Sequence, residues 1–272
     1  MIARDYITEW RQRAPWPSDA QVEQDLVLSR ALVEIFRHPL LERSLAFRGG
    51  TALHKLFLPS PARYSEDIDL VQVEAGPIGP VMTALREALG PWLGAPRRNQ
   101  GEGRMTLIYR FESELPPVVP LRLKIEVNTR EHFTILGHRP KRYEVGSRWF
   151  SGTAAIRTFE IEELLATKMR AFFQRRKGRD LFDLEMALRQ GLDTATLVAC
   201  FEQYMARAGA AVSRAEFEEN LVKKLNQSDY LADLPQILSA EALALFDKQA
   251  AIERVSTELI GRLKGEPWRG QP

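Results

Sequence analysis

Between residues 18 and 37 apolar side chains fall at Val22, Leu26, Leu28, Leu32, Val33 and Phe36, close to the 3.6-residue period of a helix. Ser18 and Asp19, just after Pro17, supply its N-terminal caps. The pattern then shortens: Leu45, Ala46 and Phe47 predict a strand that ends in the turn Gly49-Gly50 and opens a helix at Thr51, with Pro59 and Pro61 to stop it. A strand over 68–73, a Gly/Pro connection and a helix through 81–89 follow. From Arg104 the spacing changes to alternation. Met105, Leu107, Tyr109 and Phe111 share one strand face, and a second strand over 121–128 could pair with it across the loop of Pro116, Pro117 and Pro120. Residues 155–159 read as one more short strand. Beyond them the pattern is helical over 161–173, 180–189, 194–208, 213–225 and 240–263, with a frayed tail past Gly265. The order predicts a mixed α/β half over 1–155 and a helical half over 156–272.

Composition narrows the class. The chain has 272 residues and 44% hydrophobic content, enough for a substantial core. Its 38 Lys and Arg nearly balance 36 Asp and Glu, so the net charge is only +2 and any polyanion must be held by local patches. A single cysteine, Cys200, excludes an intramolecular disulfide framework and reads as helix filler among Leu197, Val198 and Phe201. No apolar run reaches the roughly 20 residues that span a bilayer, and the first residues lack a signal-peptide core. The expectation is a cytoplasmic protein with no membrane partner.

Candidate chemistry concentrates in four places. Asp67 and Asp69 stand two apart in a strand, so both carboxylates point to one face, where they can hold a divalent metal. In the strand 121–128, alternation puts Arg122, Lys124, Glu126 and Asn128 on the polar face. If that strand neighbours 68–73, Glu126 completes a trio able to hold two Mg²⁺ ions; otherwise Lys124 and Glu126 are a charge pair on an exposed face. Lys168 stands in the apolar stripe of its helix with Ile161, Leu164 and Phe172, so it must snorkel or meet a phosphate or a carboxylate. Arg175, Arg176, Lys177 and Arg179 form the densest basic run, and Arg97, Arg98 and Arg104 a second patch. Asp180, directly after the run, reads equally as a helix cap or a site residue, with Asp183 rotated outward. His38, His54, His132 and His138 lack metal-ligand spacing, and His54 reads as a helix-surface residue. Neither a P-loop string nor a dinucleotide fingerprint is present.

In combination, Phe47-Arg48-Gly49-Gly50-Thr51-Ala52-Leu53, Ser65-Glu66-Asp67-Ile68-Asp69-Leu70, Lys124-Ile125-Glu126, the helix bearing Lys168 and the string from Lys177 to Leu184 resemble the AbiEii/AbiGii toxin family of nucleotidyltransferase-like proteins. The resemblance implies the nucleotidyltransferase fold of the DNA polymerase β superfamily, an α/β (α+β) fold whose helical half completes the active-site cleft. It implies that Gly49, Gly50, Thr51 and Lys168 hold the nucleotide and that Asp67 and Asp69, with Glu126 as third acid, carry Mg²⁺ or Mn²⁺. It further makes Asp67, Asp69, Lys168 and Asp180 the catalytic set. Thr51 stands where many members have Ser and would keep the hydroxyl and the capping role. Such proteins use an NTP, act beside a cognate antitoxin, and some modify the 3′ end of tRNA and stop translation, for which Arg175, Arg176, Lys177 and Arg179 would touch the RNA. Transfer to a protein or a small molecule, and a non-catalytic protein that binds nucleotide or antitoxin, are the alternatives.

Overall fold

A computed structural model describes residues 2–59 and 62–270, so Pro61 and the last two residues of the tail lie outside the described residues. The chain divides into two units, the first through Phe159 and the second from Glu160. The first opens with α1 (Arg4–Trp10), α2 (Asp19–Arg37), α3 (Pro39–Ser44), β1 (Leu45–Arg48), α4 (Gly49–Leu56) and β2 (Asp67–Gln72). It continues through α5 (Gly79–Leu93), β3 (Arg97–Gly101), β4 (Arg104–Glu112), β5 (Pro120–Asn128), β6 (His138–Gly146) and β7 (Ser151–Phe159). The second holds α6 (Ile161–Gln174), α7 (Gly178–Leu188), α8 (Thr194–Arg207), α9 (Arg214–Leu225), α10 (Leu234–Ile237), α11 (Ala240–Leu245) and α12 (Lys248–Glu258).

One mixed sheet organises the first unit, in the order β3-β4-β5-β2-β1-β7-β6. β4 and β5 pair antiparallel across the proline-rich loop, as the alternation predicts. β2 lies in the interior, antiparallel to β1 and parallel to β5. Ile68, Leu70, Leu123, Ile125, Val127, Met105, Leu107 and Tyr109 are all buried on one side of these strands. α2 packs against β2, β5, β6 and β7, and α5 against β4. Ser18 starts α2 through a reciprocal capping box with Gln21.

Two strands escape the hydrophobic pattern, β3 and β6. Both are sheet edges, and β3 is exposed at every position. With no buried side β3 has no alternation to read, and β6 buries only Val145 fully, its inward Lys141 and Tyr143 being polar. The expected helix over 240–263 is broken as well: Asp247 accepts hydrogen bonds from the N–H groups of Gln249 and Ala250 and so caps a new helix after α11. Nor is the stretch after Gly265 frayed at Trp268, whose N–H donates to Glu218 Oε2 at 2.7 Å.

A buried ionic network fastens the Gly-Gly helix α4 to its neighbours. Lys55 Nζ lies 2.7 Å from both carboxylate oxygens of Asp25 on α2 and donates to Ser29, while the Trp10 indole donates to Asp25 at 2.9 Å. The Tyr143 hydroxyl of β6 donates to Ser29. Burial opposes the charge on Lys55, but Asp25 outweighs it and the ammonium is held above its ordinary range. In the second unit α6 packs on α7, α8 and α9, with Phe172, Phe201 and Phe217 in ring contact at its centre. Removing the charge in Lys55→Met leaves Asp25, 2% exposed in its side chain, without its ammonium partner. The expected loss of stability is about 3–5 kcal/mol, read from a denaturant melt.

Candidate active site

β1 ends at Arg48 and the chain turns into α4 at Gly49, whose φ of +81° suits glycine. A second constraint is spatial: a Cβ on Gly49 would come 2.4 Å from Asp69 Oδ2. The carboxylate of Asp69 therefore lies against the first turn of α4, whose backbone N–H groups receive no side-chain cap from Arg48. The helix begins two residues before Thr51, so Thr51 is inside the first turn and is not the cap expected from the sequence. Its hydroxyl donates to the Asp67 carbonyl at 2.6 Å and lies 2.6 Å from Ser65 Oγ. A hydroxyl has one proton. Given to Asp67, it ties α4 to the start of β2.

The register places Asp67 opposite Lys124 and Asp69 opposite Glu126. Paired residues on adjacent strands share a face, so the three carboxylates and Lys124 stand together. Lys124 Nζ lies 3.3 Å from Asp67 Oδ2 and 3.2 Å from Glu126 Oε2. Asp67 Oδ1 is buried, and no hydrogen-bond donor among the described residues reaches it. Burial raises the Asp67 carboxyl above its ordinary range, Lys124 pulls it back, and the charges of Asp69 and Glu66 add to the rise. For Lys124, burial works against the charge, but Asp67 and Glu126 outweigh it and the ammonium is held above its ordinary range. An orphaned carboxylate oxygen beside two more carboxylates fits a hard divalent cation. Among the described residues, however, no three acids are drawn into a closed metal cluster, and the Lys124 ammonium sits between Asp67 and Glu126.

Two neighbouring residues also shape this site. Arg48 stands opposite Asp69 across β1 and β2 and pairs with Glu131 at 2.5 Å. His54 is 8% exposed, buried and not on the helix surface as expected.

In the second unit Lys168 meets carboxylates, one of the two outcomes its place in an apolar stripe requires. Its Nζ lies 3.1 Å from Asp180 Oδ1 and 2.9 Å from Asp183 Oδ2. Asp183 is thus not rotated outward: both aspartates have fully buried side chains, because the lysine they share is itself inside. Asp180 is not a cap either, since α7 starts after Lys177. Arg175 grips Asp180 with two bonds of 2.7 Å, and Arg176 donates to Gln227. Of the basic run, Lys177 and Arg179 form no ion pair among the described residues. Gly178 lets the run pass the turn at Leu231 and Asp233: its N–H donates to Asp233 Oδ1, and a Cβ would come 2.9 Å from Leu231 Cδ2. Lys224 was not signalled by the pattern. Buried on α9, it donates to the carbonyls of Phe172 and Phe173 in the last turn of α6, and burial pulls its ammonium down to about 8.

Opposite pH signatures follow. Burial opposes ionisation of Asp180, yet Lys168 and Arg175 outweigh it and hold the carboxyl below its ordinary 3.8. That stabilisation is complete above the unfolded value and disappears as pH falls through the folded one. Asp180→Asn should therefore cost about 3–5 kcal/mol at neutral pH. In melts at decreasing pH, the gap to wild type should close in the acid range below 3.8. For Asp67, raised in the fold, the cost of ionisation is absent below the unfolded 3.8 and present in full above the folded value. Asp67→Asn should then raise the melting temperature by a few degrees at neutral pH, read from a thermal melt.

Known proteins carry the same architecture. The structure superposes on the nucleotidyltransferase toxin MenT4 of Mycobacterium tuberculosis with a TM-score of 0.67 at 15% identity, covering 97% of this chain and 91% of that one. It superposes on JHP933 of Helicobacter pylori with a TM-score of 0.54 at 15% identity, covering 89% and 90% of the two chains. At such identities the likeness shows the fold, a nucleotidyltransferase-type mixed α/β architecture. A comparison with curated protein sequences found no match. No described helix is long and apolar enough to cross a membrane. The family model for the nucleotidyl transferase AbiEii toxin of type IV toxin–antitoxin systems matches residues 30–253, and the chain belongs to that family.

Proposed function

We propose that the protein transfers a nucleotide from an NTP to an acceptor hydroxyl, with the 3′ end of tRNA as the acceptor and blocked translation and growth arrest as the outcome. The observation that carries the reading is the register of β2 on β5, with Asp67, Asp69 and Glu126 on one face and Gly49 against Asp69. Asp67, Asp69 and Glu126 would hold Mg²⁺ or Mn²⁺, which supplies charge neutralisation at the triphosphate and lowers the pKa of the attacking hydroxyl. Backbone N–H groups of Gly49, Gly50 and Thr51 at the start of α4 bind phosphate oxygens, while the Thr51 hydroxyl holds the main chain at Asp67 in place. The acceptor oxygen forms a bond to the α-phosphorus, the bond to the β-phosphate bridge breaks, and pyrophosphate leaves. The hydroxyl proton goes to the carboxylate set. Lys168 and Asp180 enter from the family pattern as residues of the activity, and Arg175, Arg176, Lys177 and Arg179 as contacts to RNA. Of that run, Lys177 and Arg179 are the better suited, since Arg175 is bound to Asp180. A cognate antitoxin is the expected protein partner.

Incubation with each α-labelled NTP, Mg²⁺ and either total tRNA or total protein tests the assignment. Label should appear on tRNA with wild type and fall by at least about a hundredfold with Asp69→Ala. Label that persists in Asp69→Ala would sink the metal role, and label on protein alone would sink the tRNA acceptor. No transfer at all, with growth arrest still seen on expression, would favour a nucleotide- or antitoxin-binding protein.

A further inference from the structure

The polar face of the sheet extends past the carboxylates, and its register can be followed residue by residue. Opposite Lys124 stands Ile108, and opposite Ile108 stands Arg97. Glu126 leads in the same way to Thr106 and Asn99, Asn128 to Arg104, and Arg122 to Arg110. Arg97, Arg104 and Arg110 therefore share the face of Asp67, Asp69 and Glu126. Arg98 does not: it pairs with Leu107, whose side chain is buried on the other side.

Arg97, Arg104 and Arg110 are exposed, and none forms an ion pair among the described residues. Their neighbours differ: Arg122 lies 3.3 Å from Glu66, and Arg130 pairs with Glu102. Gly101, directly across from Arg104, leaves room for the arginine to lie over the strand, since a Cβ there would come 2.9 Å from Arg104 Nε. Three like charges on one face repel one another and add nothing to folding, so they are arranged for an anion from outside. Arg104 and Arg110 are six residues apart on β4, roughly 20 Å. At about 3.4 Å per phosphate along one strand of a helix, that is the length of about six nucleotides. A single triphosphate is too short to meet both ends. Glu112, exposed on the same face beyond Arg110, closes the row.

We infer that this face is the track for the acceptor's sugar-phosphate backbone, with Arg97, Arg104 and Arg110 leading a nucleic-acid strand to the carboxylates on β2 and β5. The inference rests on the nucleotidyl-transfer reading and deepens it by naming the sheet face and the arginines that hold the nucleic-acid acceptor. Phosphate contacts of this kind set position and affinity, not sequence preference.

Binding of fluorescently labelled total tRNA to the full chain, followed by anisotropy across a salt series, tests it. R97E/R110E should weaken binding at least about tenfold at moderate salt and flatten the salt slope by about two units. R98E, the same charge reversal on the opposite face, should stay within about twofold of wild type, as should the affinity of R97E/R110E for a fluorescent NTP analogue. All three substitutions are on exposed side chains. A loss in R98E equal to that in R97E/R110E would reduce the effect to overall charge and overturn the track. An equal loss of NTP affinity would assign the arginines to the nucleotide and overturn it too. If wild type labels tRNA and R97E/R110E does so with an unchanged KM for tRNA, the track falls and the transfer reading stands. If wild type neither binds nor labels RNA, the track and the RNA acceptor fall together, while label on another acceptor keeps nucleotidyl transfer.

Discussion

The candidate site depends on β2 having a hydrogen-bonded neighbour on each side. β1 fixes its position through an antiparallel ladder and β5 through a parallel one. Adjacent strands lie about 4.8 Å apart, so once Asp69 is level with both Arg48 and Glu126 their spacing is set by backbone geometry. The hydrophobic side of the same strands is packed beneath helices, which prevents a one-residue slip that would bury the carboxylates. Folding thus holds like charges close together before any ligand arrives. Ionised Asp67 bears part of that cost, and Lys124 offsets another part.

Each unit also buries a lysine under carboxylate. In the first, Lys55 and Asp25 hold the Gly-Gly helix on α2, and in the second Lys168 gathers Asp180 and Asp183. Such pairs contribute little net stability, because desolvation offsets the attraction, but breaking one leaves a buried charge alone. Their value here is orientation. An ammonium that must sit within about 3 Å of two carboxylate oxygens fixes the rotation of its helix more tightly than apolar packing does.

Much of this was legible in the chain. Period-two spacing put Asp67 with Asp69 and Lys124 with Glu126, and the β2–β5 pairing was posed as a condition that the register meets. Lys168 was marked by its misfit within an apolar stripe. What escaped has identifiable causes. The leucines of its own helix turn Asp183 outward, whereas its burial comes from an ion pair with a different helix. Lys224 looks like an ordinary surface lysine until the open carbonyls at the end of α6 are placed beside it. The family resemblance makes Thr51 the cap, but the glycine conformation at 49 starts the helix earlier. The face-by-face separation of Arg97 from Arg98 needs a β3 register, and an edge strand with no buried side offers none in sequence.

The composition of those edges has a consequence for the molecule's behaviour among its own copies. Both outer strands of the sheet are rich in positive charge, with Arg97 and Arg98 on β3 and Arg139, Lys141 and Arg142 on β6, where Pro140 also removes one backbone donor. A second molecule aligning its sheet against either edge would bring cation onto cation, and at β6 it would also find one N–H group missing. The open ladder that seven strands leave at each end is therefore poorly suited to self-extension, and the sheet resists growing into a fibre.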